Sequence, residues 1–229
     1  MKTKKVILFI VEGITDKNSL SLILSKLISR SHIRFHIVGG DITTNKSTTT
    51  QNCIAKVNDE INKFLSVSKF KKTDILEVIH LVDTDGAYVS DELVKQYDTN
   101  NIIYKLDGIL TDKVDLTIKR NKQKVSILDK LCSTPSIGRI KYFMYYFSCN
   151  LEHVLHNEQN LDDKLKSKYS YDFEDKYYGR EEEFKAFISE SVFSVKGDYK
   201  ETWNFIKANN NSLNRFSNFG LFFDRNLEE

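Results

Sequence analysis

The sequence predicts an α/β protein: a mainly parallel sheet flanked by helices, followed by a helical C-terminal appendage. Three observations carry the prediction. Lys5–Val11 is a continuous β-branched and aromatic run, as expected of a strand buried on both faces, and Ile75–Val82 is a further strand-like run. Each run ends in acid and glycine, Glu12-Gly13 in the first case and Asp83-Thr84-Asp85-Gly86 in the second. Between them lie segments with helical apolar spacing, and strands alternating with helices indicate right-handed βαβ units.

In chain order, Lys5–Val11 is the first strand, and Thr15 or Asp16 is placed to cap the helix that follows. Leu20, Leu22, Ile23, Leu24, Leu27 and Ile28 form the apolar face of that helix. Ile33–Val38 is the second strand, closed by Gly39-Gly40. The Thr-rich stretch Asp41–Gln51 reads as a mobile loop, and Ile54, Val57, Ile61 and Leu65 then repeat at helical spacing. Ile75–Val82 is the third strand, Asn101–Leu106 the fourth, Lys113–Leu131 a helix, and Ile140–Phe147 a fifth, aromatic strand. From Leu151 onward the pattern is charged helices with aromatic anchors. Residues 1–150 therefore read as a catalytic core and 151–229 as a helical extension packed on it.

The chain has 229 residues, 40% hydrophobic and 29% charged, which suits a globular fold and argues against disorder. A net charge of +2 gives no global basic field, so a nucleic-acid partner would need a local patch. The basic start Met1–Lys5 precedes an apolar run too short for a secretory signal, and no stretch approaches membrane-span length. Cys53, Cys132 and Cys149 are odd in number and widely spaced, which points away from a disulfide framework or zinc cluster and towards the cytoplasm.

In parallel sheets, ligands gather at the carboxyl ends of strands, where both acidic motifs fall. In Asp83-Thr84-Asp85, Gly86 lets the chain turn at once, so both carboxylates can approach one cation. Carboxylate oxygen suits hard divalent ions, and crowded carboxylates repel unless a cation lies among them. The bland alternative is a solvated turn in which Asp caps the next helix.

Together, Val11-Glu12-Gly13-Ile14-Thr15-Asp16-Lys17, Val38-Gly39-Gly40-Asp41 and His80-Leu81-Val82-Asp83-Thr84-Asp85-Gly86 resemble the Toprim domain of topoisomerases, bacterial primases and OLD-type nucleases. The likeness covers about the first half of the chain and implies a Toprim-like (Rossmannoid) fold. It implies a catalytic site of Glu12, Asp83 and Asp85 binding Mg²⁺, with Mn²⁺ as a substitute, and Glu12 as base or ligand. Asp16 is a further ligand candidate by the same resemblance, with a helix N-terminal role as its alternative. Phe147-Ser148-Cys149-Asn150-Leu151-Glu152-His153 resembles the segment following the sheet in RloB-like and OLD-like nucleases, which adds Glu152.

The implied activity is Mg²⁺-dependent hydrolysis of DNA or RNA phosphodiesters, and the nearest analogy is to effectors of bacterial anti-phage, abortive-infection systems. An ATPase partner fits the same resemblance, the aromatic content fits a homodimer, and no membrane partner is expected. Lys17, Lys46, Lys119 and Arg120 are the candidate phosphate contacts, although a charge run is more often a solvated helix face. Two other readings stay open. Asp83-X-Asp85 also resembles the nucleophile motif of HAD phosphatases, with Ala87 departing from that pattern. A Toprim fold that binds nucleic acid or a partner without cutting is the third.

Overall fold

A computed structural model describes residues 5–28 and 32–225; the basic start Met1–Lys4 lies outside them. The fold is mixed α/β, with a sheet flanked by helices and a helical C-terminal region. Strand β1 (Val6–Val11) is buried at every position, as its unbroken apolar run requires. Helix α1 (Ile14–Leu27) follows, then β2 (His32–Ile37), α2 (Cys53–Val67) and β3 (Ile75–Asp83). β2 and β3 both pair with β1 in parallel and on opposite sides, so the strand order reverses at β1.

Beyond β3 the chain forms β4 (Val94–Gln96), β5 (Ile103–Lys105), β6 (Gly108–Thr111) and α3 (Val114–Cys132). It then forms the hairpin β7 (Ser136–Ile137) and β8 (Ile140–Phe147). The main sheet runs β2-β1-β3-β8-β7. The expected fourth strand is present as β5, but it belongs to a separate three-stranded sheet ordered β4-β6-β5. Its antiparallel partner β6 follows after two residues, a local hairpin that competes with long-range pairing into the main sheet. Helices α4 (Leu151–His156), α5 (Asp163–Tyr177), α6 (Glu181–Glu190), α7 (Tyr199–Lys207) and α8 (Leu221–Asp224) complete the chain. Among the described residues no helix is long and apolar enough to cross a membrane.

One compact unit comprises Met1–Val82, Ser126–Met144 and Ser170–Glu181; the other comprises Asp83–Val125, Tyr145–Tyr169 and Glu182–Glu229. In the first unit α1 begins at Ile14 with Gly13 as its cap, two residues before Thr15 and three before Asp16, the expected caps. The Thr-rich segment is a series of turns fixed by its own side chains. Asp41 Oδ1 accepts from the Thr43 amide and hydroxyl, both at 2.6 Å, and Asn45 Oδ1 accepts from Ser47 N at 2.9 Å.

Also in the first unit, Glu60 on α2 lies 2.8 Å from His36 Nε2 and accepts from Lys63 Nζ at 2.6 Å. Burial alone would raise the Glu60 carboxyl, but the bonds from Lys63 and His36 outweigh it and hold the group below its ordinary value. A depressed carboxyl stabilises the fold above its unfolded pKa, and that stability is lost as pH falls through the lower folded value. Glu60→Gln is therefore expected to flatten the acid limb of the stability curve in chemical denaturation below about pH 4.5. An acid limb identical to wild type would contradict the assignment.

The aromatic strand β8 is core. In the second unit, Tyr145, Tyr146 and Phe147 are buried, Tyr146 meets Trp203 edge-on at 5.0 Å, and its hydroxyl donates to Thr202 O at 2.9 Å. A smaller cluster of Val89, Val94, Ile109 and Leu213 underlies the β4-β6-β5 sheet.

A candidate acidic site in the second unit

The aspartate motif is a tight turn tied down by distant chain. Asp83 closes β3, and Thr84 N donates to Phe147 O at 3.1 Å while Asp85 N donates to Cys149 O at 2.8 Å. Ala87 N then reaches back to Thr84 O at 2.9 Å, with Asp85 at φ 49° and Gly86 at φ 63°. Two central residues at positive φ are the signature of a type I′ turn, so the reversal starts at Asp85, one residue earlier than glycine alone suggests.

Thr84 is fully buried and its hydroxyl works in both directions. It donates to Ser212 O at 2.9 Å and accepts from Cys149 N at 3.0 Å. Thr84→Val removes both bonds at constant shape. It is expected to cost about 1 kcal/mol in chemical denaturation, because Ser212 O and Cys149 N lose the hydroxyl but still bond each other at 3.1 Å. Unchanged stability would show that the hydroxyl does not anchor the turn.

Asp85 is surrounded by donors from within its own unit. Lys124 Nζ lies 2.5 Å from Oδ2, and the Tyr104 hydroxyl donates to Oδ1 at 3.3 Å. Arg120 donates through Nη1 to the Tyr104 hydroxyl at 3.1 Å and through Nη2 to the Asp85 carbonyl at 3.1 Å. Arg120 and Lys124 stand four apart on α3 and so share one helical face. Burial, and then the Asp85 carboxylate, push the Tyr104 hydroxyl well above its ordinary value, which keeps it a donor.

A second carboxylate has a cation of its own. Glu152, buried in the first turn of α4, lies 3.6 Å from Lys166 Nζ, which also meets Asp163 at 3.2 Å. Burial alone would lower the Lys166 ammonium; the carboxylates of Glu152, Asp163 and Asp83 outweigh it and raise the group. Asp83 thus belongs to the same electrostatic neighbourhood. A cavity of about 650 Å³, lined by Tyr104, Asn150, Glu152, Lys164 and Lys166 among others, opens beside these residues.

Cys149 sits at φ 53° in this region, and burial, with Asp85 next, pushes its thiol up. It is a protonated core thiol here, not an activated nucleophile. His153 is held neutral, its pKa lowered to about 4 by burial and by Arg215. Arg215 clamps Val154 O through Nε at 3.0 Å and Nη2 at 2.7 Å, and Asn218 accepts from Tyr146 N at 2.9 Å, so both have structural work.

The other sequence candidates fall as follows. Glu12 and Asp16 are in the first unit. Glu12 follows β1, the strand at which the order reverses, and one of its carboxylate oxygens is shielded from solvent. Asp16 Oδ2 accepts from Gly13 N at 3.0 Å, the helix-start role named as its alternative. Lys17 is half-buried, and Lys46 and Lys119 are exposed. Arg120 is turned onto Asp85 and Tyr104. From sequence Lys124 is only the end of the basic run 119–124, and Tyr104 is not a candidate.

Among the described residues, no group of three or more His, Cys, Asp or Glu side chains is gathered to hold a metal ion. The Asp85 and Glu152 carboxylates are instead met by the ammonium groups of Lys124 and Lys166. No protein-family model, curated protein or solved structure matches the chain.

Proposed function

We propose that the chain is a Toprim-like, divalent-cation-dependent nuclease that hydrolyses phosphodiester bonds of DNA or RNA. The observation that carries this reading is the Asp83-Thr84-Asp85 turn at the carboxyl end of β3, with Arg120, Lys124 and Lys166 around it in the same unit. Carboxylates interleaved with cations suit a substrate that is itself a polyanion. The Toprim-like assignment is supported by the β2-β1-β3 order, with Glu12-Gly13 after β1 and the aspartates ending β3.

Carboxylate oxygen is the donor type a hard divalent ion takes, although the described residues gather no group of three such side chains. Asp83, Asp85 and Glu152 supply carboxylate oxygen only, and a buried ammonium 2.5 Å from Asp85 Oδ2 marks a position suited to positive charge. The proposed Mg²⁺ ligands, Glu12, Asp83, Asp85, Asp16 and Glu152, are all assigned by the family resemblance. When bound, the ion would polarise the scissile phosphate and lower the pKa of attacking water. Arg120, a planar donor, would orient a phosphate oxygen; Lys17, Lys46 and Lys119 are backbone-contact candidates from the sequence alone. Glu12 is assigned the general base by the family resemblance.

The test is incubation of the purified protein with plasmid, single-stranded DNA and RNA in Mg²⁺ or Mn²⁺, beside Glu12→Gln and Asp85→Asn. Cleavage is expected with metal alone and lost in both variants; cleavage that survives both would sink the mechanism. One observation favours the non-cutting alternative, because both Asp85 oxygens are already engaged, by Lys124 and Tyr104. That alternative predicts retention of nucleic acid without cleavage under every metal condition.

A further inference from the structure

Glu152 is buried on the first turn of α4, yet it lines the cavity of about 650 Å³ in the second unit. Among the described residues its carboxylate accepts no hydrogen bond. The Lys166 ammonium, at 3.6 Å, lies beyond hydrogen-bonding reach and is held by Asp163 at 3.2 Å. A carboxylate so far removed from bulk water calls for donors. A cationic ligand would meet the ammonium beside it, so the matching ligand is neutral, with N–H groups for the carboxylate and an acceptor for Lys166. The cavity has the size of a small-molecule site, and Ile102, Leu161 and Tyr104 give it walls for a flat ring.

Of the nucleobases, guanine alone carries two adjacent N–H groups beside a carbonyl on its pairing edge. Adenine and cytosine offer one amino group beside a ring acceptor, and uracil and thymine a single N–H between two carbonyls. Only guanine supplies a donor to each carboxylate oxygen and an acceptor to the ammonium at once. We propose that this cavity binds guanine, with Glu152 accepting from N1–H and the N2 amino group and Lys166 donating to O6. Lys164, exposed on the same lining, supplies a cation for the attached phosphate. Glu152 then faces a base instead of the ion that the family resemblance gives it. The inference stands apart from the nuclease reading, since a guanine nucleotide and a guanine in a single strand present the same edge.

The experiment is titration calorimetry in EDTA, so that no divalent ion takes part. The ligands are GMP, IMP and short oligothymidylates carrying one guanine or one hypoxanthine. Hypoxanthine lacks only the N2 amino group, so guanine is expected to bind at least about tenfold more tightly. A preference seen among the mononucleotides identifies a free nucleotide as the ligand; one seen only in the strands identifies nucleic acid. Glu152→Gln is expected to erase the preference, while Lys166→Met should weaken GMP and IMP alike, because both carry O6. Equal binding of the two bases in both forms, or binding of neither, would overturn the proposal. So would a preference that survives Glu152→Gln. If that variant does not fold by circular dichroism, the wild-type comparison of guanine with hypoxanthine still decides. Cleavage is read separately in Mg²⁺. Guanine preference without cleavage removes only the nuclease reading, and cleavage without the preference removes only this one.

Discussion

Asp85→Asn should produce two losses at once: cleavage lower by about 100-fold or more, and a fold weaker by about 3 kcal/mol. The first follows from the proposed chemistry, because a neutral amide is a poor ligand for a hard cation. The second follows from Lys124, whose buried ammonium would face an amide in place of its carboxylate. The two losses are separable. Asp83→Asn, which leaves the Lys124 pair intact, should lose cleavage to a similar degree with a smaller loss of stability. Adding Lys124→Met to Asp85→Asn should recover much of the stability and none of the cleavage, since removing both charges leaves neither buried alone. Initial cleavage rates and urea titrations on the four proteins read all of this. Asp85→Asn with wild-type stability would contradict the buried pair, and cleavage within about tenfold of wild type would contradict the ligand assignment.

Gly86→Ala is expected to cost about 3 kcal/mol, for two reasons that add. The residue sits at φ 63°, and a Cβ there would lie 2.5 Å from Leu213 Cδ2 and 3.1 Å from Ile109 Cδ1. Leu213 is packed with Val89, Val94 and Ile109, so it has nowhere to retreat. Gly39→Ala isolates the backbone term, because Gly39 has φ 73° but open space around the added carbon, and about 1 kcal/mol is expected there. Equal losses at both positions in denaturant titrations would show that packing against Leu213 contributes nothing.

Where a segment's environment could be inferred from its own pattern, the sequence was legible. The apolar runs of β1 and β3, the spacing of α1 and α2, and the acid-glycine steps after two strands all follow local rules. Sheet membership did not, because Ile103–Lys105 is a short, half-exposed strand whose three residues fit either sheet. The flanking strands β4 and β6 are three and four residues long, below the length at which alternation can be recognised. The cations at Asp85 were hidden for another reason. Lys119-Arg120-Asn121-Lys122-Gln123-Lys124 reads as one basic run, but α3 divides it by face. Lys119 and Lys122 point to solvent, Lys122 meeting Asp91 at 2.5 Å, while Arg120 and Lys124 turn inward. A signal was present in the spacing. Thr117, Asn121, Lys124, Leu128 and Leu131 form one buried stripe, so Lys124 is a lysine at a core position and needs a carboxylate. Which carboxylate is a matter of tertiary structure, since Asp85 is 39 residues away.

The Thr84 hydroxyl has a consequence for the order in which the molecule is made. Its partners are 65 and 128 positions further along, at Cys149 and Ser212, so the aspartate turn closes two very long loops. Such closures are entropically costly and come late in folding. A growing chain still on the ribosome therefore carries both aspartates long before the segment that shapes them has emerged. If the proposed nuclease reading holds, this topology would keep the aspartate turn unshaped until synthesis has passed the neighbourhood of Ser212.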